Sequence, residues 1–123
     1  MDRMIKIDGR EVKFRATART PRLYRVIIGR DMIRDMAQLR KNYMKVQQAP
    51  EDQREEATLS ILDLQIFEDI AYIMAKHADP EMKEKTADEW LDGFEMFSIY
   101  EILPQLLELW AMNEKTTSTP KKK

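Results

Sequence analysis

The sequence predicts a mainly α-helical fold, a single compact domain of about five or six helices preceded by a short β-hairpin. A length of 123 residues suits one hydrophobic core. Apolar residues recur at helical spacing along most of the chain, whereas strict alternation is confined to residues 4–15. We therefore assign residues 1–115 to a helical domain. Residues 116–123, which contain no apolar side chain, are expected to form a disordered basic tail.

The predicted hairpin at residues 4–15 is centred on Asp8 and Gly9. Glycine adopts positive φ without strain and aspartate tolerates it, so this pair favours a tight turn between two strands. A lone two-stranded hairpin is only marginally stable. Its apolar face is therefore expected to pack on the helices or beside a partner strand.

Two helices are predicted next. Thr20 is expected to cap the first helix, with Pro21 at its first helical position, because proline has no amide hydrogen to leave unpaired. Gly29 should end that helix and Asp31 should cap the second. The expected buried face of the second helix comprises Met32, Ile33, Met36, Leu39 and Tyr43. Residues 47–52, which include Pro50, break its pattern.

The longest apolar stripe of the chain predicts a central core helix. Aspartate and proline at positions 79 and 80 should end it. The stripe comprises Leu59, Leu62, Ile66, Phe67, Ile70, Ile73 and Met74, flanked by Ile61 and Leu64.

Two capping-box signatures mark the helices that follow. Thr86 precedes Glu89 by three residues, and Ser98 precedes Glu101 by the same spacing. Pro104 lies well inside the second of these helices, so a kink or a new helix start is expected there.

The composition argues against catalysis. Cysteine is absent and His77 is the only histidine, which leaves too few ligands for a zinc site and no complete catalytic triad. The three glycines are too dispersed for a phosphate-binding loop. We expect a non-enzymatic protein with no catalytic, cofactor-binding or metal-binding residues. The acidic side chains that might suggest otherwise, Glu68, Asp69, Asp88, Glu89 and Asp92, are typical of outward helix faces.

The distribution of charge leaves several partners open. Residues 1–49 carry thirteen lysines and arginines against five acidic residues, whereas residues 50–115 carry five against seventeen. Opposite charges on the two halves can pair within one copy, between neighbouring copies, or with a charged partner. The basic residues of segment 19–41 suggest a nucleic-acid-binding regulator as an alternative, although the acidic remainder of the chain makes nucleic acid an unlikely partner. No apolar run approaches the ~20 residues of a membrane helix, so no membrane interaction and a cytoplasmic location are expected.

Five aromatic side chains and one isoleucine are the candidates for binding a protein partner. Such residues pack equally well in a core, and the sequence leaves both roles open. A hydrophobic groove with a polar rim that receives a helical segment is the expected arrangement. The candidate partner-binding residues are Trp90, Phe94, Phe97 and Trp110, with Tyr24 and Ile28 as weaker ones.

Three stretches resemble the tail assembly chaperones of long-tailed phages and prophages of Gram-positive bacteria. The first comprises IKIDGREVKF (5–14), TPRLYR (20–25) and GRD (29–31). The second is FEDIAYIMAK (67–76), and the third, EWLDGFEMFSIY (89–100), continues through Leu103-Pro104 and Leu109-Trp110 to the lysine-rich end. Together they cover most of the chain, in the order and spacing of the family.

The resemblance implies a specific function. Such chaperones keep the long tape measure protein soluble while tail tube subunits polymerise around it, and they tend to self-associate. A longer form made by ribosomal frameshifting is thought to engage the tail tube protein. The chain is then expected to form a homo-oligomer in the host bacterial cytoplasm and to be absent from the mature virion. A tail completion or connector protein that remains in the virion is a further alternative.

Overall fold

The computed structural model describes residues 1–50 and 59–117. Its N-terminal hairpin pairs strand β1 (Asp2–Ile7) with strand β2 (Arg10–Arg15) in an antiparallel arrangement. Asp8 and Gly9 form the turn with φ angles of 54° and 77°, as a tight turn with right-handed twist requires. The hairpin predicted at residues 4–15 is confirmed, and its first strand begins two residues earlier.

The register of the hairpin determines which side chains reach the core. Met1 and Ala16 exchange two hydrogen bonds of 2.8 Å, which makes them a hydrogen-bonded pair. Successive pairs therefore alternate between hydrogen-bonded and non-hydrogen-bonded along the strands. Ile5, Ile7 and Phe14 face inward and are buried. The hairpin thus packs its apolar face on the helices of its own chain.

Helix α1 (Thr20–Ile27) begins one residue earlier than predicted. Its N-cap is Arg19 and not Thr20, whose hydroxyl accepts a hydrogen bond from the amide of Thr17 instead of one from the helix. This hydroxyl stabilises the turn that precedes α1, which explains why it is not a cap. Pro21 lies in the first turn, where its missing amide hydrogen is tolerated.

Gly29 and Asp31 separate α1 from helix α2 (Met32–Gln48) as predicted. Gly29 has a φ of 89°, and its amide donates to the carbonyls of Tyr24 and Arg25. Asp31 accepts hydrogen bonds from the amides of residues 33 and 34. The predicted buried face of α2 is correct at Met32, Met36 and Leu39, and Tyr43 is half-buried. Ile33 is 53% exposed, because it lies about 100° around the helix from Met32 and so points away from that face.

Helix α3 (Ile61–Ala78) is the central element and contacts β2, α1, α2, α4 and α5. It begins at Ser60 with a capping box formed with Asp63, which the sequence analysis did not identify. The predicted stripe is wrong in the first turn. Ile61 is 85% exposed, and Leu62 and Leu64 are also exposed, because only the side of Asp63 is covered in the first turn and the helix is enclosed on all sides only at residues 70–75.

The two last helices are α4 (Ala87–Leu91) and α5 (Ile99–Thr117). Thr86 caps α4 by accepting from the amide of Glu89. In a capping box the carboxylate of Glu89 would accept from the amide of Thr86. It accepts from the amide of Lys85 instead, so only one of the two bonds of the predicted box forms. The amide of Glu101 bonds to the backbone carbonyl of Ser98.

Helix α5 passes through Pro104 as one continuous helix, so the predicted new start is wrong. Proline leaves the carbonyl of Tyr100 without its helical donor, and the side-chain amide of Gln105 donates to the next carbonyl, that of Glu101. The helix continues to Thr117, two residues into the predicted tail, and residues 118–123 of that tail lie outside the described residues. None of the described helices is long and apolar enough to span a lipid bilayer.

Candidate partner-binding groove

Trp90 lies at the centre of an aromatic cluster formed by α4, α3, the hairpin and the α4–α5 loop. Its ring centroid is 5.2 Å from that of Phe94, 5.4 Å from Phe97, 6.0 Å from Tyr72 and 6.2 Å from Phe14. Three of these four contacts are edge-to-face, the geometry that aromatic rings prefer. The cluster holds the short helix α4 against the hairpin and α3.

The six predicted partner-binding residues divide into two groups. Trp90, Trp110 and Tyr24 are buried, and Trp90 retains only 6% of its surface. Phe94, Phe97 and Ile28 are half-buried and pack against the core. Phe94 and Phe97 lie together beside Trp90, whereas Tyr24 and Ile28 belong to the α1 region. Among these six residues, most of the surface that a partner could contact therefore comes from the half-buried group, and the binding role of all six stays a prediction.

The tip of the hairpin is fixed to the α4–α5 loop by Arg10 and Asp8. The guanidinium carbon of Arg10 lies 4.3 Å from the ring centroid of Phe94, and its Nη2 donates to the carbonyl of Gly93 at 2.8 Å. On the other side of the turn, the carboxylate of Asp8 accepts from the amide of Glu95 at 3.0 Å. These contacts orient Phe94. Arg10 was not among the predicted residues, because alternation within a strand carries no signal for a contact 83 residues away.

A groove of about 310 Å³ lies between β2 and α4. We call it the β2–α4 groove. Its lining residues are Arg10, Glu11, Val12, Lys13, Ala75, Asp79, Met82, Glu84, Trp90, Gly93 and Phe94. The apolar part comes from the two aromatic rings and Met82, whereas charged side chains occupy the rim. Five of the eleven lining residues are charged, so the groove is more polar than a typical small-molecule site.

One wall of the β2–α4 groove is the outer edge of strand β2. Because the pairs Lys6–Glu11 and Met4–Lys13 are non-hydrogen-bonded, the amides and carbonyls of Glu11 and Lys13 point away from β1. Among the described residues, no hydrogen bond reaches these four backbone groups. The groove therefore combines an aromatic floor with an unpaired strand edge.

Tyr24 belongs to a polar network that joins α1, α2 and α3. Arg30 donates to Asp35 at 2.9 Å, to Asp69 at 2.6 Å and to the hydroxyl of Tyr24 at 2.9 Å. The Tyr24 hydroxyl in turn donates to Asp35 at 2.7 Å. Burial, followed by the hydrogen bond to Asp35, raises the pKa of Tyr24 above its usual value. Burial opposes the charge of Arg30, but its hydrogen bonds to the two carboxylates outweigh this and raise its pKa.

The network weakens the case for nucleic-acid binding, because Arg30, one of the basic residues of segment 19–41, is already paired with Asp35 and Asp69. Arg40 is also engaged, through an ion pair with Glu114 at 3.1 Å. Arg22, Arg25 and Arg34 are exposed. The described part of the segment thus presents fewer free cations than its sequence suggests, and nucleic-acid binding remains a prediction.

His77 forms a hydrogen bond between its Nε2 and the hydroxyl of Thr17 at 2.8 Å. Burial and the nearby charges of Arg15 and Arg19 lower the pKa of its imidazole.

Desolvation, with a smaller contribution from Asp69, raises the pKa of Glu68. Within residues 1–50 and 59–117, no three histidine or acidic side chains are grouped so as to hold a metal ion. The β2–α4 groove is therefore the candidate site that we develop further.

Comparison of this chain with models of protein families, with curated proteins and with solved structures found no match.

Proposed function

We propose that this protein is a non-enzymatic tail assembly chaperone that binds the tape measure protein while a phage tail is assembled. The β2–α4 groove is the observation that carries the proposal. It offers an apolar floor at Trp90 and Phe94 within a charged rim, on a scaffold fixed by the contacts of Arg10. The order and spacing of the stretches that resemble the chaperone family provide the second support.

Phe94 is the anchor of the proposed binding surface. It is half-buried, lines the groove and rests on Trp90, which is itself held by Phe14 and Tyr72. A rigid aromatic side chain with a well-packed support loses little conformational entropy on binding, which is why such residues dominate interface energies. Replacing such an anchor typically weakens binding by about 2 kcal/mol, or roughly thirtyfold in Kd.

The proposal includes the cellular setting that the resemblance implies. The chaperone self-associates, acts in the host cytoplasm, and leaves when tail tube subunits take its place. A longer frameshifted form recruits the tail tube protein. Mass spectrometry of purified virions separates this proposal from the connector alternative, because a chaperone is absent from the particle and a connector is retained.

Co-expression with the tape measure protein of the same phage tests the proposal. Size-exclusion chromatography with light scattering should detect a soluble complex that neither protein gives alone. Phe94→Asp should abolish the complex, because it places a charge on the apolar floor. Met96→Asp is the matched control, since Met96 lies in the same loop, is 70% exposed and does not line the groove.

Both variants should first be shown to be folded by circular dichroism and by their melting temperatures. An insoluble tape measure protein beside an unchanged small protein would contradict the chaperone proposal. Titration of labelled duplex DNA at two salt concentrations would then test the basic segment 19–41, because phosphate contacts weaken steeply as salt rises.

A further inference from the structure

We propose that the β2–α4 groove receives an extended segment of the partner chain, which adds a third strand antiparallel to β2. This inference rests on the proposed function, because it specifies what kind of segment the groove binds. It departs from the expected helix-in-groove arrangement.

The unpaired backbone of β2 carries the inference. Glu11 and Lys13 each present an amide and a carbonyl on the groove side, two residues apart, and the described residues leave all four groups without a partner. An extended antiparallel strand satisfies them with four hydrogen bonds, because residues two apart on an incoming strand point their backbone groups the same way. A helix bonds its own backbone internally and leaves these groups to water.

An extended occupant also matches the length of the edge. Three residues of an extended strand span about 10 Å along β2 and place a single side chain on the floor.

The charges beside the edge define the chemistry of the segment. The side chains of Glu11 and Lys13 lie on the outer face of the hairpin, whereas Val12 lies on the inner face and is half-buried. Opposite charges in directly paired positions stabilise a sheet and like charges destabilise it. The segment should therefore place a basic residue opposite Glu11, an acidic residue opposite Lys13, and an apolar residue between them that contacts Trp90 and Phe94.

The first experiment uses the complex with the tape measure protein. Lys13→Pro removes the outward amide without breaking a bond to β1, and should weaken the complex at least tenfold. Met4→Pro is its matched control, because Met4 is paired directly with Lys13 and its amide points from the opposite edge of the hairpin. Melting temperatures establish that both variants are folded. If a wild-type complex forms and both variants retain it, strand pairing is overturned while the chaperone function stands.

The second experiment uses the free protein and does not depend on the tape measure protein. The probe is the blocked peptide acetyl-Thr-Thr-Glu-Val-Lys-Thr-Thr-amide, added at millimolar concentration to isotope-labelled protein. We expect the NMR amide signals of Glu11 and Lys13 to shift and to become protected from hydrogen exchange. The same peptide N-methylated at its glutamate and lysine should bind at least tenfold more weakly, since it lacks the two donors. No change at these two amides would overturn the inference.

A second copy of this chain is the competing occupant, because Glu11, Val12 and Lys13 themselves carry the required pattern when two β2 strands pair antiparallel. Light scattering of the free protein distinguishes the two. A dimer that Lys13→Pro converts to a monomer, with the two amides already protected before peptide is added, would overturn the partner-segment inference in favour of self-pairing.

Discussion

Replacing Arg30 with methionine should destabilise the fold more than any other single change to a charged side chain described above. Arg30 joins Asp35 on α2 to Asp69 on α3, and the two carboxylates retain only 13% and 14% of their surface. Methionine keeps much of the length of the side chain but removes the charge and all three donors. Both carboxylates then remain desolvated without a cation. Removing one partner of a buried ion pair in this way lowers the free energy of unfolding more than replacing both partners does.

The magnitude follows from these contacts. Hydrogen bonds to charged groups contribute about 1.5 to 3 kcal/mol each. Arg30 makes two of them and is itself about one-third exposed, so solvent screening reduces the sum. We expect a loss of about 3 kcal/mol in the free energy of unfolding, which lowers the Tm of a domain of this size by roughly 10 °C.

Urea denaturation followed by circular dichroism measures this loss directly. With a slope of about 2 kcal/mol per molar urea, the midpoint should fall by about 1.5 M. Arg34→Met is the matched control on the exposed side of α2 and should shift the midpoint little. Adding Asp69→Asn to Arg30→Met should recover part of the loss. A shift of Arg30→Met no larger than that of the control would refute the argument that this network stabilises the junction of α1, α2 and α3.

Three further predictions concern the pH dependence, the hairpin turn and the cap of α4. Folding lowers the pKa of His77, so the unfolded chain binds its proton more tightly. The contribution of His77 to stability should therefore be constant above about pH 6.5 and fall below it. His77→Gln should flatten that fall in Tm scans taken at several pH values, and an unchanged profile would contradict this reasoning. Gly9→Ala should cost about 1 kcal/mol in urea denaturation through its positive φ alone, because its Cβ meets no atom within 4 Å, whereas Gly93→Ala should cost less. Thr86→Ala should cost about 1 kcal/mol in the same assay by freeing the amide of Glu89, and Thr86→Ser, which keeps the hydroxyl, should restore most of it.

Local signals predicted the secondary structure well. The Asp8-Gly9 turn, the helix end at Gly29 and the cap at Asp31 each follow from the conformational preference of one or two residues. The exposure of Ile61 does not, because periodicity assigns an apolar face without telling where along the helix other elements cover it. Continuity through Pro104 likewise depends on packing that a proline signal does not contain.

The candidate site was only partly predictable for the same reason. The sequence identified Trp90 and Phe94 as aromatic candidates for binding a protein partner. It did not show that Trp90 is buried and Phe94 only half-buried. The clamp between Arg10 and Gly93 arises from a contact between distant parts of the chain, whereas the open edge at Lys13 follows from the register of the hairpin. Such contacts depend on the tertiary arrangement, which single-residue preferences do not specify.

The bond from Arg10 to Gly93 also has a consequence for synthesis on the ribosome. Its two residues are 83 positions apart, so translation at about 5 to 20 residues per second separates their appearance by roughly 4 to 17 s. The hairpin is made first, yet the helices that cover Ile5 and Phe14 emerge later. For several seconds the nascent chain therefore carries an uncovered apolar strand pair, and slower translation would prolong its exposure to aggregation.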